Sequence, residues 1–543
     1  MKLILVFIER RDCRLPTQTT NHYMKGAFIL TIAAFIVKIL SVVYRVPYQN
    51  IVGDVGFYIY QQVYPIYGVG MILATSGFPV IISKLAAEDG TGERAYLAHR
   101  MQAALITLLF VGIGLFCCFF LGASLIAQWM GDSQLTALIQ MTAFMFLLLP
   151  FLSISRGYFQ STGDMRPTAT SQVIEQTVRV VIIMMSAIIL TSHGYSLYDV
   201  GTGAIAGSFI GGVIGVGILL MYMVKRKTYS LFFIKGLSWK KLYTTAQIVL
   251  VHGAVFCLSG MVLILFQFVD SFSIFSLLRN SGIEIEEAKA LKGIFDRGQP
   301  LIQLGTVVAS SFSLALVPIV TAAWMKDDEQ TIQIKSGSAM KITLVIAGGA
   351  TIGLINIMKP TNTMLFANDQ GSAVLSVLSI SILFSSLILI CTGILQALGQ
   401  VFIVGKYILI GLIAKIIGNY IGVALLGTMG ASLSTVISLA ITAILSIRKL
   451  QTRVSILLPT IKSLLPSICL AALGMTLVLQ LWLFLFSFFE VGRLLSIALS
   501  LSSVVLGAGV YLWIILKSGS LTEEELSFFP FSSKLNYLNS NRK

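Results

Sequence analysis

Fourteen apolar stretches, each about as long as a bilayer's hydrocarbon core is thick, follow one another along this chain of 543 residues. A helix needs roughly 20 mostly apolar residues to cross that core. The stretches lie near 26–46, 57–83, 101–127, 134–155, 168–191, 200–224 and 246–270. They resume near 299–325, 340–358, 373–398, 401–425, 428–447, 463–489 and 494–516. One such window could be a buried helix of a soluble protein. Fourteen in series could not, because no water-soluble core has room for so much apolar surface. Charged residues make up only 11% of the chain, against about 25% in a soluble domain. Lipid offers no partner to a backbone N–H or C=O, so the crossings must be helical. The expected fold is an all-α integral membrane protein.

Lysine and arginine orient it. With the N-terminus inside, 28 of the 38 basic residues fall on the inner side and six on the outer. Four of those six (Arg279, Lys289, Lys292 and Arg297) share one loop with Glu284, Glu286, Glu287 and Asp296. Both termini are therefore expected in the cytoplasm and the chain in the cytoplasmic membrane. The net charge of +15 would suit nucleic acid only if it formed a patch on a soluble domain, and no soluble stretch is long enough. The six cysteines and four histidines are scattered, without metal-ligand spacing. Residues 1–25 read as a cytoplasmic extension, with Met24-Lys25-Gly26 as an alternative start.

Two patterns recur at nearly one offset. Pro65-x4-Gly70-x3-Ala74-Thr75-Ser76 returns as Pro300-x4-Gly305-x3-Ala309-Ser310-Ser311. Gly157-x2-Gln160-x2-Gly163 returns as Gly393-x2-Gln396-x2-Gly399. The shifts, 235 and 236 residues, link the second crossing to the eighth and the fourth to the tenth. The expected organisation is an N-lobe (26–245), a C-lobe (246–450), two further helices (451–517) and a tail (518–543). Six crossings per copy is an even number, so both lobes have the same topology and the route lies between them.

Certain blocks carry a family likeness. Tyr44-Arg45-Val46-Pro47, Gly53-Asp54, Tyr64-Pro65, Ala74 to Pro79, Arg156 to Gln160, Gly163 to Thr168 and Asp296 to Pro300 resemble the MOP superfamily of exporters. The likeness is closest to its polysaccharide-biosynthesis, stage V sporulation protein B-like branch, related to the MurJ-type lipid II flippases. It runs from about residue 25 to 450, and 156–168 is its most specific part. It implies two six-helix lobes around a cavity that opens alternately to either side, with a lipid-linked oligosaccharide or cell-wall precursor as cargo. Cell-wall synthesis proteins are the partners it implies, besides membrane lipids.

A charge at the bilayer centre costs about 2.5–3.5 kcal/mol on insertion scales, so it usually faces a cavity or a partner. The first crossing holds Lys38 and Arg45, two turns apart, and no acid between Gly26 and Val46. They form a candidate cationic stripe for an anionic head group, although Arg45 could also snorkel outward. Glu175 and Arg179, four residues apart, are spaced to pair. Asp270 is either a coupling or gating carboxylate or a helix-end residue, and Glu175 is a second coupling candidate. Asp296 is placed to cap the eighth crossing, Arg297 to face its outer mouth, and Arg156 and Arg166 to bracket an inner loop. Lys415, one turn before Asn419, has no assignable partner.

The glycine-rich run 201–217 reads as a close-packing helix surface. No Walker sequence occurs, so the reading includes no ATP and no other cofactor. The expectation is a monomeric flippase, not an enzyme. A MATE-type antiporter of cationic drugs is the rival, disfavoured by the basic first crossing; a transferase would need an outer loop of paired acids.

Overall fold

The structure, a computed structural model, describes residues 17–87, 94–228, 239–486, 488, 492–522 and 525. Almost all of these are helical, and none is in a strand. The first half comprises α1 (Thr17–Val43), α2 (Arg45–Ile72), a π-helical turn (Leu73–Gly77), α3 (Phe78–Ala87) and α4 (Arg94–Leu121). It continues with α5 (Ala123–Trp129), α6 (Thr136–Ser161), α7 (Arg166–Ser192) and α8 (Leu197–Lys225). The second half has α9 (Trp239–Gly260), α10 (Val262–Asn280), α11 (Ile285–Asp296), α12 (Gly298–Gly305), α13 (Val307–Met325) and α14 (Glu329–Asn356). Then follow α15 (Met358–Phe366), α16 (Ser372–Ser379), α17 (Ser381–Ala397), α18 (Val401–Gln451), α19 (Leu457–Phe486) and α20 (Arg493–Lys517).

Eleven helical runs among the described residues are long and apolar enough to cross a membrane. Two of them are hairpins. Ile29–Ala87 reverses at Gly53 (φ 70°), which brings the Tyr44 and Tyr60 rings together. Val401–Gln451 reverses at Gly427 (φ 57°), where Gly422 and Gly430 meet backbone to backbone. The seventh crossing outruns its apolar stretch: α10 continues to Asn280, past the expected end at 270. Small hydroxyls make this tolerable, because Ser271 and Ser273 donate to the carbonyls of Gln267 and Val269 on their own helix. The expected outer loop 271–298 accordingly shrinks to 281–284 and α11, where Glu284, Glu286 and Glu287 are exposed. Residues 17–25 of the expected extension begin α1; residues 1–16 and most of the expected tail lie outside the described residues.

Two apolar cores hold the helices. One gathers mainly residues 44–223, the other mainly 262–521. The repeated sequence patterns have matching jobs in them. Gly163 (φ 77°) and Gly399 (φ 75°) end corresponding helices in the left-handed conformation that glycine reaches without a Cβ penalty. Their amides donate to the carbonyls of Gln160 and Gln396 at 3.1 and 2.9 Å. Gly157 lies against Pro79 and Ile82 of α3, and Gly393 against Ser313 and Val317 of α13. The same pair of helices is thus docked through the same glycine in each copy.

The glycine stripe of α8 decides where α7 sits. A Cβ on Gly203, Gly207, Gly211 or Gly215 would come within 3 Å of Ser186, Ile182, the Glu175 carbonyl or the Glu175 carboxylate, respectively. Small residues let two backbones approach when no hydrophobic effect drives them together. We expect Gly211→Val to force α7 from α8 and cost about 1–3 kcal/mol in thermal unfolding of the detergent-solubilised protein. Gly217→Ala, where a Cβ meets nothing within 4 Å, is the neutral control.

Candidate functional site

A charged clamp ties the two halves together at one end of their interface. Arg297, fully buried between α11 and α12, donates through Nε and Nη2 to both carboxylate oxygens of Asp54, at 2.9 and 2.6 Å. Nη1 reaches Asn368 at 2.8 Å and Asn362 at 3.3 Å. Asp54 follows the Gly53 reversal, and Gln49 donates to it at 2.8 Å. Gly293 permits the approach: a Cβ there would lie 2.1 Å from the Asp54 carbonyl oxygen. Further cross-links thicken the seal. Gln62 donates across the halves to the Ser271 carbonyl, while within the first half Tyr58 and Tyr198 donate to Asp132 at 3.3 and 2.6 Å. Arg493, opening α20, donates to Asn50 at 2.8 Å and to the Met364 carbonyl, while Asn50 donates to the Leu365 carbonyl. Two expectations are corrected here. Arg297 does not face an open mouth, because it is the clamp. Asp296 ends α11 instead of capping a helix start, and Lys292 holds it at 2.6 Å.

Beneath the seal lie two arginines without carboxylates. Arg45 is fully buried, so snorkelling is excluded; its guanidinium stands 4.4 Å from the Tyr64 ring, and none of its nitrogens has a hydrogen-bond partner. Arg179 sits beside it and shares that ring at 5.8 Å. It donates to Ser208, Gln176, Tyr44 and Tyr60, and lies 4.2 Å from the Tyr67 ring. A desolvated cation–π contact is worth about 2 kcal/mol or more. Taking an unpaired ion out of water costs several kcal/mol per ion. The tyrosines therefore shelter these charges without neutralising them.

The spacing of Glu175 and Arg179 misleads, since they do not pair. Glu175 instead accepts from Arg156 at 2.6 Å, both fully buried. Arg156 comes from the last turns of α6, reaches the Ala74 carbonyl in the π-helical turn, and does not bracket a loop. Arg166 does lie at the surface, where its amide and the Arg226 side chain hold Asp164. Burial alone would raise the Asp164 carboxyl, yet these two partners keep it below its ordinary value. Asp270 is no helix-end residue: it is buried midway along α10 and pairs with Lys415 at 2.6 Å.

At the other end the halves also touch, with Cys257 of α9 against Gly77 of the π-helical turn and Phe78 of α3 against Gly253. Lys38 is exposed and donates across the interface to Ser310. A groove lined by Thr31, Ile32, Phe35, Ser311 and Phe312 opens beside it. Arg45 and Arg179 thus come together around Tyr64, and neither they nor Lys38 has an ion-pair carboxylate among the described residues, whereas Arg156 and Arg297 do. Sequence reasoning gave no role to Asp54 or to the tyrosines. Tyr60, Tyr64 and Tyr67 do recur at helical spacing on one face, which was the available signal.

Comparison with known proteins agrees with this architecture. Residues 23–324 match the family described as "Polysaccharide biosynthesis protein". The chain is 41% identical to the uncharacterized membrane protein YabM of Bacillus subtilis (strain 168), over 95% of this chain and 96% of that one. It is 25% identical to the lipid II flippase MurJ of the same organism, over 77% and 80%. Among solved structures it superposes on a lipid II flippase MurJ in an inward closed conformation (TM-score 0.66, 14% identity, 90% and 98% coverage). It also superposes on an inward-facing multidrug resistance MATE family transporter of the MOP superfamily (TM-score 0.62, 18% identity, 80% and 99% coverage). The fold is that of these transporters.

Cutting the clamp tests the reading of the sealed end. Asp54→Ala should strand Arg297 and cost stability near the lower end of about 3–5 kcal/mol. A cysteine at the buried Val52 should then react faster with a polar maleimide than in the otherwise unchanged protein. Equal labelling rates would show that the pair does not hold this end shut.

Proposed function

Because the chain belongs to the polysaccharide biosynthesis protein family, we propose that it carries an anionic lipid-linked saccharide of the cell-wall precursor type across the cytoplasmic membrane by alternating access. The observation that carries this reading is the imbalance of charge in the first half. Lys38, Arg45 and Arg179 face no carboxylate, and two of them are buried. A diphosphate would supply what they lack, since charge-assisted and bidentate contacts to phosphate are among the strongest hydrogen bonds an arginine makes.

Lys38, the exposed one of the three, meets the head group first. Arg45 lies seven residues on, about 10 Å further along the helix axis. It and Arg179 become reachable as the Arg297–Asp54 clamp lets go and the tyrosines move. With the N-terminus inside, the clamped end is the outer one, and Lys38 lies towards the compartment where such precursors are made. The rival, export of cationic drugs, needs a free acid in the spans. Glu175 is occupied by Arg156 and Asp270 by Lys415, which supports the anionic cargo.

No nucleotide site is needed. Moving a doubly charged anion outward with the inside negative gains about 4.6 kcal/mol per 100 mV. In proteoliposomes, Lys38→Ala/Arg45→Ala should slow flipping of an undecaprenyl-diphosphate sugar at least tenfold, since each lost charge-assisted contact is worth about 1.5–3 kcal/mol. Unchanged flipping by that double variant would remove the site. Collapsing the potential with an ionophore should slow the parent protein as well; a rate indifferent to the potential would assign the driving force elsewhere.

A further inference from the structure

The second half holds a charge cluster that the cargo reading leaves unused. Lys415 lies on the first arm of the α18 hairpin and is fully buried. An ammonium has three N–H donors. Three oxygens receive them: Asp270 Oδ1 of α10 at 2.6 Å, Thr435 Oγ1 at 2.5 Å and the Ala431 carbonyl at 3.3 Å, the last two on the second arm. Thr435 gives its own proton to the Ala431 carbonyl, which turns a hydroxyl lone pair towards Lys415. One turn beyond, Asn419 donates its amide nitrogen to Asp270 Oδ1 and to Ser273, each at 2.8 Å. That leaves Asn419 Oδ1 buried without a hydrogen-bond partner among the described residues.

A carboxylate, a hydroxyl and a main-chain carbonyl, with no nitrogen or sulfur acceptor among them, form the donor set of a hard cation. One carboxylate balances one positive charge, so the set suits a monovalent ion. We propose that the Lys415 ammonium is a tethered cation: from within the chain it fills an oxygen cradle suited to an alkali metal ion, and shortening the side chain opens that cradle to Na⁺. The cradle links three crossings, α10 and both arms of α18, so its occupant keeps them packed. A covalently held occupant cannot exchange. The halves then rearrange without loading or releasing an alkali ion at this place.

The experiment compares thermal unfolding of the full-length protein in sodium chloride and in choline chloride at equal ionic strength. The parent should melt at the same temperature in both. Lys415→Ala and the milder Lys415→Asn should each melt lower in choline and recover by several degrees in sodium, because an ion that binds only the folded state stabilises it. Adding Asp270→Asn to either should abolish the recovery. The proposal is overturned if both variants stay equally unstable, or fail to fold, in sodium as in choline; that is how a purely packing ion pair behaves. A sodium response in the parent, or one that survives Asp270→Asn, overturns it as well. Since the readout is ion-dependent melting, the outcome is independent of whether the cargo reading holds.

Discussion

The bidentate pair between Arg297 and Asp54 ties together two stretches of chain 243 residues apart, and the rest of the arrangement hangs on it. It closes one end, and closure buries the tyrosines of α2 over Arg45 and Arg179. Were that end open, water would reach both guanidinium groups and their lack of counter-charges would cost little. With it shut, the same groups sit in low dielectric, where an unpaired charge is expensive. The clamp therefore creates the electrostatic demand that an anion would satisfy.

The two halves answer the cost of burying charge in opposite ways. In the second half Lys415 is matched by Asp270, and beside it Lys292 is matched by Asp296. In the first half Glu175 is consumed by Arg156, which leaves Arg179 with hydroxyls and rings. Buried Lys415 and Lys292 are thus matched within the second half, while buried Arg45 and Arg179 of the first half have no ion-pair carboxylate among the described residues.

Much of this was legible in the sequence, and the reasons are local. The apolar runs and the repeated Gly157 and Gly393 patterns each act within a helix or between adjacent ones, so spacing alone carries them. The pairing of Glu175 was misread because helical spacing favours Arg179, whereas the partner comes from another helix. Lys415 and Asp270 stood 145 positions apart with nothing in either neighbourhood to join them. Arg297 and Asp54 were each noticed, yet only the fold shows that they meet. The extension of α10 past Asp270 was hidden by serines, which look like loop residues in a list and behave as helix residues once they return their protons to their own carbonyls.

The short segment after α15, where Ala367 takes a left-handed conformation, touches more than the clamp. Asn368 receives Arg297, while the carbonyls of Met364 and Leu365 receive Arg493 from the start of α20. The last helix stands outside the repeat and shows much of its surface to lipid, yet it grips the same strap that steadies the closed end. The start of α20 is therefore joined, through the last turn of α15 and Asn368, to the guanidinium that holds Asp54.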